Sequence, residues 1–271
     1  MKRAGWILLA AMAVGLAACS STSTDEDLLN RLANLDKDTI FQKAEELYAK
    51  EDYEEARKYF QFIYDSFPND PLGHKAALRV ADTYAVKKDS INLTEARLRY
   101  RDFANRYPND PDRDEALLKL GNTYFVRRGR PDLDLTNARE AMAAYQQLIN
   151  LYPQSEYVEE ARKNMAVLRR MFADHEFLVA RYYARNKQWI GAQWRLQYLK
   201  DHYPEYPEME KVDELLAKAT AQVEEWYSVD GELASEKNTG GKGREKVSGD
   251  TKAPENGPEK PGEKDAGAPR R

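Results

Sequence analysis

Apolar residues fall at one fixed set of spacings four times along the chain. Ala56, Phe60, Ile63 and Pro68 recur as Ala96, Tyr100, Phe103 and Pro108. They recur again as Ala141, Tyr145, Leu148 and Pro153, and finally as Ala192, Leu196, Leu199 and Pro204; the internal offsets are 4, 7 and 12 each time. Offsets of 4 and 7 place three side chains on one face of a helix. The small alanine lets a neighbouring helix come close, and the larger residues fill the space below it. Each helix then meets a stop. Phe67-Pro68-Asn69-Asp70, Tyr107-Pro108-Asn109-Asp110, Tyr152-Pro153-Gln154-Ser155 and Tyr203-Pro204-Glu205-Tyr206 each put proline where the helix must end. Proline lacks the amide hydrogen and disfavours helix in the residue before it.

A first helix precedes each of these. Ala44 and Leu47, Ala81 and Tyr84, Gly121 and Tyr124, and Ala180 and Tyr183 show a small-then-large step of 3. From Leu47 to Ala56 is 9 residues, as it is from Tyr183 to Ala192. Paired helices at this spacing make the tetratricopeptide repeat, a helix–turn–helix unit of about 34 residues. The expected fold class is therefore all-α, a tetratricopeptide-repeat solenoid of about four helix pairs with a capping helix. Two repeats are stretched: Tyr84 to Ala96 is 12 residues and Tyr124 to Ala141 is 17. The surplus predicts longer loops around Lys87–Thr94 and Arg127–Thr136, with Asn92 or Thr94 and Asp134 or Thr136 as N-caps. No Pro or Gly lies between Pro153 and Gly191. One long helix, or two nearly continuous ones, is expected over Glu156–Lys187, with Ser155 or Gln154 as cap. Met209–Tyr227 reads as the closing helix.

The ends differ from the middle. Residues 1–21, MKRAGWILLAAMAVGLAACSS, open with Lys2 and Arg3, continue with an apolar run from Trp6 to Leu16, and reach Leu16-Ala17-Ala18-Cys19. The run is too short to span a bilayer and fits a signal segment. The small residues before cysteine resemble the lipobox of bacterial lipoproteins, which implies cleavage before Cys19 and lipid on its thiol and amino group. Three acyl chains exceed the two signals that stable anchoring needs. Ser20 follows the cysteine where aspartate would argue for inner-membrane retention, so the resemblance implies the outer membrane. From about Val229 the chain is rich in Gly, Pro, Lys, Glu and Asp, with 9 acidic and 9 basic residues between Asp230 and Arg271. Such a segment cannot bury enough apolar surface to offset its ordering entropy. The expected organisation is a signal peptide over 1–18, a lipid tether over 19–35, the repeat domain over 36–228 and a disordered charged tail over 229–271.

Composition narrows the function. Cys19 is the only cysteine, which excludes an internal disulfide and a thiolate metal cluster. The net charge of −4 is mild and argues against a nucleic-acid binder. His74, His175 and His202 form no metal-ligand pair at helical spacing, and no glycine-rich phosphate loop or nucleophile elbow is present. An enzyme is not expected, and no cofactor. A repeat array instead offers a groove lined by its first helices, suited to an extended or helical peptide. Repeat phase puts Phe41, Glu45, Tyr48, Asp82, Asn122 and Phe125 on that face.

The stretch Ala173-Asp174-His175-Glu176-Phe177-Leu178-Val179-Ala180-Arg181-Tyr182-Tyr183-Ala184-Arg185, followed by Ile190-Gly191-Ala192 and Arg195, resembles the BamD family of outer-membrane assembly lipoproteins. Tyr157-Val158-Glu159-Glu160-Ala161-Arg162 fits the same family. The resemblance covers roughly residues 36–204. It implies a non-catalytic subunit of the machinery that inserts β-barrel proteins into the outer membrane, facing the periplasm. It implies as partners a BamA-like insertase, other subunits of that machinery, and the peptides of unfolded outer-membrane proteins. Arg195, Arg185 and Arg181 are the residues the resemblance puts toward the insertase. The chain departs from the family in its last repeat, reduced here to the single helix Met209–Tyr227. The alternative is a periplasmic repeat adaptor lipoprotein of cell division or peptidoglycan synthesis. Such adaptors usually carry a coiled-coil trimer segment or lack a lipobox, and residues 26–36 are too short for that coil.

Overall fold

A computed structural model describes Leu28 and residues 30–239. Cys19, the signal segment over 1–18 and the tail from residue 240 lie outside the described residues. The chain divides into two compact units, residues 1–220 and 221–271. Every described residue of regular structure is helical: α1 (Lys37–Ala49), α2 (Tyr53–Ser66), α3 (Pro71–Ala85), α4 (Ser90–Arg106), α5 (Arg113–Val126), α6 (Thr136–Leu151), α7 (Val158–Arg185), α8 (Trp189–His202) and α9 (Met209–Thr239). Among the described residues no helix is long and apolar enough to cross a membrane.

In the first unit each helix packs against the next, giving the tetratricopeptide-repeat solenoid. Successive first helices also touch, α1 with α3 and α5 with α7, which sets them on the inner side of the stack. The positions at offsets 0, 4 and 7 are the core: Ala56, Phe60, Ile63, Ala96, Tyr100, Phe103, Ala141, Tyr145, Leu148, Ala192, Leu196 and Leu199 are all buried. Each turn inside a repeat holds one residue in the left-handed region, Glu51, Lys88, Gly129 and Lys187. The long helix of 28 residues is confirmed as α7, which joins the third repeat's core to the fourth.

Five expectations are corrected. Helix α4 starts at Ser90, not after Asn92 or Thr94. Asp89 caps it, because its short carboxylate accepts the free amide hydrogens of Ile91 and Asn92 at 3.0 Å each. Ser155 is not the cap of α7, which begins at Val158 with Tyr157 at the N-cap and no side-chain cap; Ser155 Oγ accepts the Tyr157 amide hydrogen at 3.2 Å. Asp134 accepts the Thr136 amide hydrogen at 3.0 Å, but the N-cap position itself is Leu135. The expected 19–35 tether does not hold at its C-terminal end, since Leu28 and Leu32, four residues apart, bury one helical face against Ile40, Ala44 and Phe60. Helix α9 also runs to Thr239, past the expected boundary at 228.

The turn after α2 differs from the other three. Helix α3 begins four residues after Phe67, whereas α5, α7 and α9 begin six residues after Tyr107, Tyr152 and Tyr203. Asp70 caps α3 and Pro71 opens it, where its missing amide hydrogen costs nothing. The early start presses Gly73 against the Phe67 carbonyl: a Cβ on Gly73 would lie 1.9 Å from that oxygen. The same register position holds Arg113, Val158 and Met209 in the later turns, and there the helix starts only at that residue.

The capping carboxylates give the fold an acid limit. Asp36, Asp70 and Asp89 all titrate below the usual 3.8. The Thr39 hydroxyl and amide hold Asp36 down, the Lys37 ammonium does so for Asp70, and the amide hydrogen and side chain of Asn92 for Asp89. A depressed folded-state pKa contributes stability that is present above 3.8 and lost as pH falls through the folded value. Thermal unfolding followed by circular dichroism is expected to show a flat Tm from pH 7 to about 5 and a progressive fall below about 4. A Tm that is constant down to pH 2 would remove these caps from the explanation.

Candidate partner-binding surfaces

The first helices carry a ladder of opposite charges. Glu45 of α1 accepts from Arg79 Nε of α3 at 2.7 Å. Arg79 also reaches Asp82, one turn along α3, at 3.2 Å. Lys119 of α5 donates to both carboxylate oxygens of Asp82 at 2.8 Å and pairs with Glu115 at 2.7 Å. From behind, the Tyr100 hydroxyl of α4 donates to Asp82 Oδ1 at 2.7 Å. The ladder continues as hydrogen bonds: Asn122 Nδ2 donates to Glu160 of α7 at 2.9 Å, while Asn122 Oδ1 accepts from the Tyr145 hydroxyl at 2.6 Å and from Asn164 at 3.1 Å. The charged residues of the ladder, Glu45, Arg79, Asp82, Glu115, Lys119 and Glu160, all sit on first helices.

This changes the standing of the six groove residues. Asp82 is not an open groove contact; at 5% exposure it is the buried centre of the ladder. Glu45 and Asn122 are likewise committed to partners inside the chain. Phe41, Tyr48 and Phe125 remain half-buried rings. Phe41 packs edge-on against Phe60 at 5.4 Å, Tyr48 meets Tyr53 at 5.1 Å, and the Arg128 guanidinium lies 4.1 Å from the Phe125 ring centre. Burial, together with the Asp82 carboxylate, pushes the Tyr48 hydroxyl up to about 12, so it stays a neutral hydrogen-bond donor at any physiological pH. Arg79, Lys119 and Glu115 were not among the expected residues. The signal that marks Arg79 is opposite charge one repeat length away, Glu45 to Arg79 being 34 positions.

The fourth repeat divides the remaining candidates. Arg195 of α8 pairs with Glu176 of α7 at 2.9 Å, with Glu176 at 13% exposure. Arg181 is exposed, its guanidinium 5.8 Å from the Phe177 ring centre. Arg185 is exposed at the end of α7, and no hydrogen bond or ion pair to another described residue holds it. His175, Leu178, Tyr182 and Arg185 share one stripe of α7 by helical spacing. His175 Nδ1 donates to the Pro131 carbonyl at 2.6 Å, tying the long loop of repeat three to this stripe. A carbonyl can only accept, so Nδ1 carries the hydrogen. Beyond it Leu178 is 40% and Tyr182 61% exposed, and on α8 Ile190 and Trp194 are 48% and 66% exposed. The HE pair of the sequence thus has two internal tasks, one holding a loop and one holding Arg195. The exposed surface beside them combines large apolar groups with free guanidinium groups, a composition enriched at protein interfaces.

Known proteins resemble this chain in sequence. A family model described as outer membrane lipoprotein, YfiO, matches residues 33–228. The outer membrane protein assembly factor BamD of Xylella fastidiosa is 36% identical over 74 residues, 27% of this chain and 25% of that protein. BamD of Vibrio cholerae is 32% identical over 94 residues, 35% of this chain and 39% of that protein. BamD of Haemophilus influenzae is 30% identical over 76 residues, 28% of this chain and 29% of that protein. The aligned stretches therefore span between 25% and 39% of these relatives' lengths. The family model begins just after Leu32 and ends at residue 228, the last whose side chain is described in α9. The chain belongs to the BamD family of outer membrane lipoproteins.

Proposed function

We propose that this chain is a non-catalytic scaffold of outer-membrane protein assembly, held at the outer membrane by lipid on Cys19 and facing the periplasm. The family match over residues 33–228 carries this reading. The relatives it resembles bear the name outer membrane protein assembly factor. The described part of the chain supplies two surfaces for proteins. The groove of the first helices, with the rings of Phe41, Tyr48 and Phe125 beside a neutralised charge ladder, suits extended segments of unfolded outer-membrane proteins. The surface formed by α7 and α8 suits a folded partner, a BamA-like insertase. Arg181 and Arg185 act there directly, and Arg195 acts by fixing Glu176 and the hairpin.

Co-purification from mild-detergent extracts tests the second surface. Arg185→Glu leaves every internal ion pair of the described chain intact. It is expected to reduce recovery of the insertase about tenfold or more, as reversal of a contact charge costs over about 1.4 kcal/mol. Recovery equal to that of the wild-type chain would reject this surface. Depletion that disturbs septation and leaves barrel-protein levels intact would favour the cell-division adaptor instead.

A further inference from the structure

The register of the repeats makes two clefts equivalent, and they differ in one respect. On the side formed by the second helices, α2 and α4 flank α3, and α4 and α6 flank α5. The first cleft is nearly filled, with about 20 Å³ open beside Tyr64, Arg99 and Phe103. The second holds an open volume of about 210 Å³. Two truncations account for the difference and outweigh one enlargement, from Ala77 in the first cleft to Leu117 in the second. Ile63 of α2 and Phe103 of α4 occupy the same repeat position, so Ala104 stands where the first cleft has Tyr64. Tyr100 of α4 and Tyr145 of α6 are equivalent, so Ala144 stands where the first cleft has Arg99.

The opened cleft has a defined chemistry. Its floor is Ala104, Leu117, Leu120 and Ala144, all at most 6% exposed. One wall is Tyr124, at 8% exposure. The rim is polar and exposed: Arg101 and Glu140 pair across it at 3.6 Å, and the amides of Asn105 and Gln147 complete it. Arg101 also donates to the Tyr124 hydroxyl. Because Arg101 and Glu140 neutralise each other, the rim selects no net charge.

We propose that this cleft receives one uncharged aromatic side chain from a protein partner. An apolar cavity of about 150 Å³ already holds a benzene ring, so the space here suits a phenyl to indole ring. Aromatic wall and guanidinium rim favour a ring over an aliphatic chain, through edge-to-face packing and cation–π attraction. Rim amides and charges can then meet the backbone on either side of the ring. A single aromatic anchor in a desolvated pocket with a polar rim is the usual form of an interface hot spot. The cleft lies apart from the groove of the first helices and from the α7–α8 surface, and does not depend on their assignment.

The test uses the full chain with ¹³C-labelled alanine methyl groups and two probes, N-acetyl-phenylalaninamide and N-acetyl-alaninamide. The phenyl probe is expected to shift the Ala104 and Ala144 methyl signals saturably, with Ala56 unmoved, and the alanine probe to shift neither. Ala104→Tyr and Ala144→Arg insert the side chains that the first cleft already accommodates, and circular dichroism checks that each folds. Either folded variant is expected to weaken the probe about tenfold or more, which is at least 1.4 kcal/mol. No saturable shift in the wild-type chain overturns the proposal, as does equal binding of both probes or undiminished binding by a folded variant.

Discussion

Replacing Asp82 by alanine is expected to lower the stability of the repeat array by about 3 kcal/mol. At this domain size that is a fall in Tm of roughly 6–12 °C. The size follows from what is left behind. Asp82 is 5% exposed and accepts from Arg79, Lys119 and Tyr100. Removing it leaves two cations facing each other across α3 and α5, and a buried hydroxyl without an acceptor. Tyr100 is itself only 1% exposed, so water cannot replace the carboxylate on that side. Burial, and then the Asp82 charge, hold the Tyr100 hydroxyl well above its usual value, so it remains a donor that needs a partner. Asp82→Asn retains one acceptor and is expected to lose about half as much, because Arg79 and Lys119 lose the anion between them while the hydroxyl stays satisfied. A loss below about 0.5 kcal/mol for the alanine variant, the level of a surface change, would show that the ladder contributes no stability.

Gly73→Ala is expected to cost about 2–3 kcal/mol through a clash that no rotamer relieves. The obstacle is the Phe67 carbonyl oxygen, 1.9 Å from the new Cβ, and it belongs to backbone that Phe67 and Pro68 hold in a turn. The chain has one way out: to start α3 two residues later, as the other three first helices do. That move would abandon the Asp70 cap and its hydrogen bond to the Leu72 amide at 2.9 Å. It would also pull apart the pairing of Asp70 with Lys37, which links the first two repeats. Denaturant unfolding monitored by the far-ultraviolet helix signal measures the loss. Gly191→Ala is a useful contrast, since its Cβ would meet only the Tyr183 ring at 3.3 Å, and a much smaller loss is expected there. Equal stability of Gly73→Ala and the parent chain would mean that the turn is looser than its geometry.

The repeat array was legible from sequence because packing repeats where spacing repeats. The offsets from Ala56 to Pro68 encode a small contact, two core residues and a stop, and all four copies fold as such. The helix starts were less legible. Asn92 and Thr94 are good caps in isolation, but Asp89 lies one residue before a helix that can then be a turn longer. Leu28 and Leu32 are hard to read from sequence because two leucines in a polar stretch carry little periodic signal, although their spacing of four fits one helix face. Site residues were legible as positions on a face and not as free contacts. Glu45, Asp82 and Arg195 each face a charge on another helix, and those partners lie 34, 37 and 19 positions away. Of the three arginines expected at the partner surface, Arg181 and Arg185 are exposed and Arg195 is not. The aromatic cleft needed two things at once, the repeat register and the volume between helices, and sequence supplied only the first.

The reading of this chain as an assembly scaffold is tested most directly by a photocrosslinking residue placed at position 185 in the intact envelope. The expected adduct is a membrane-embedded barrel insertase, lost when Arg181 is reversed in charge and kept when Arg101 is replaced. Adducts confined to septal or peptidoglycan-synthesis proteins, with no insertase at 185 or at its neighbours on the α7 stripe, would contradict it.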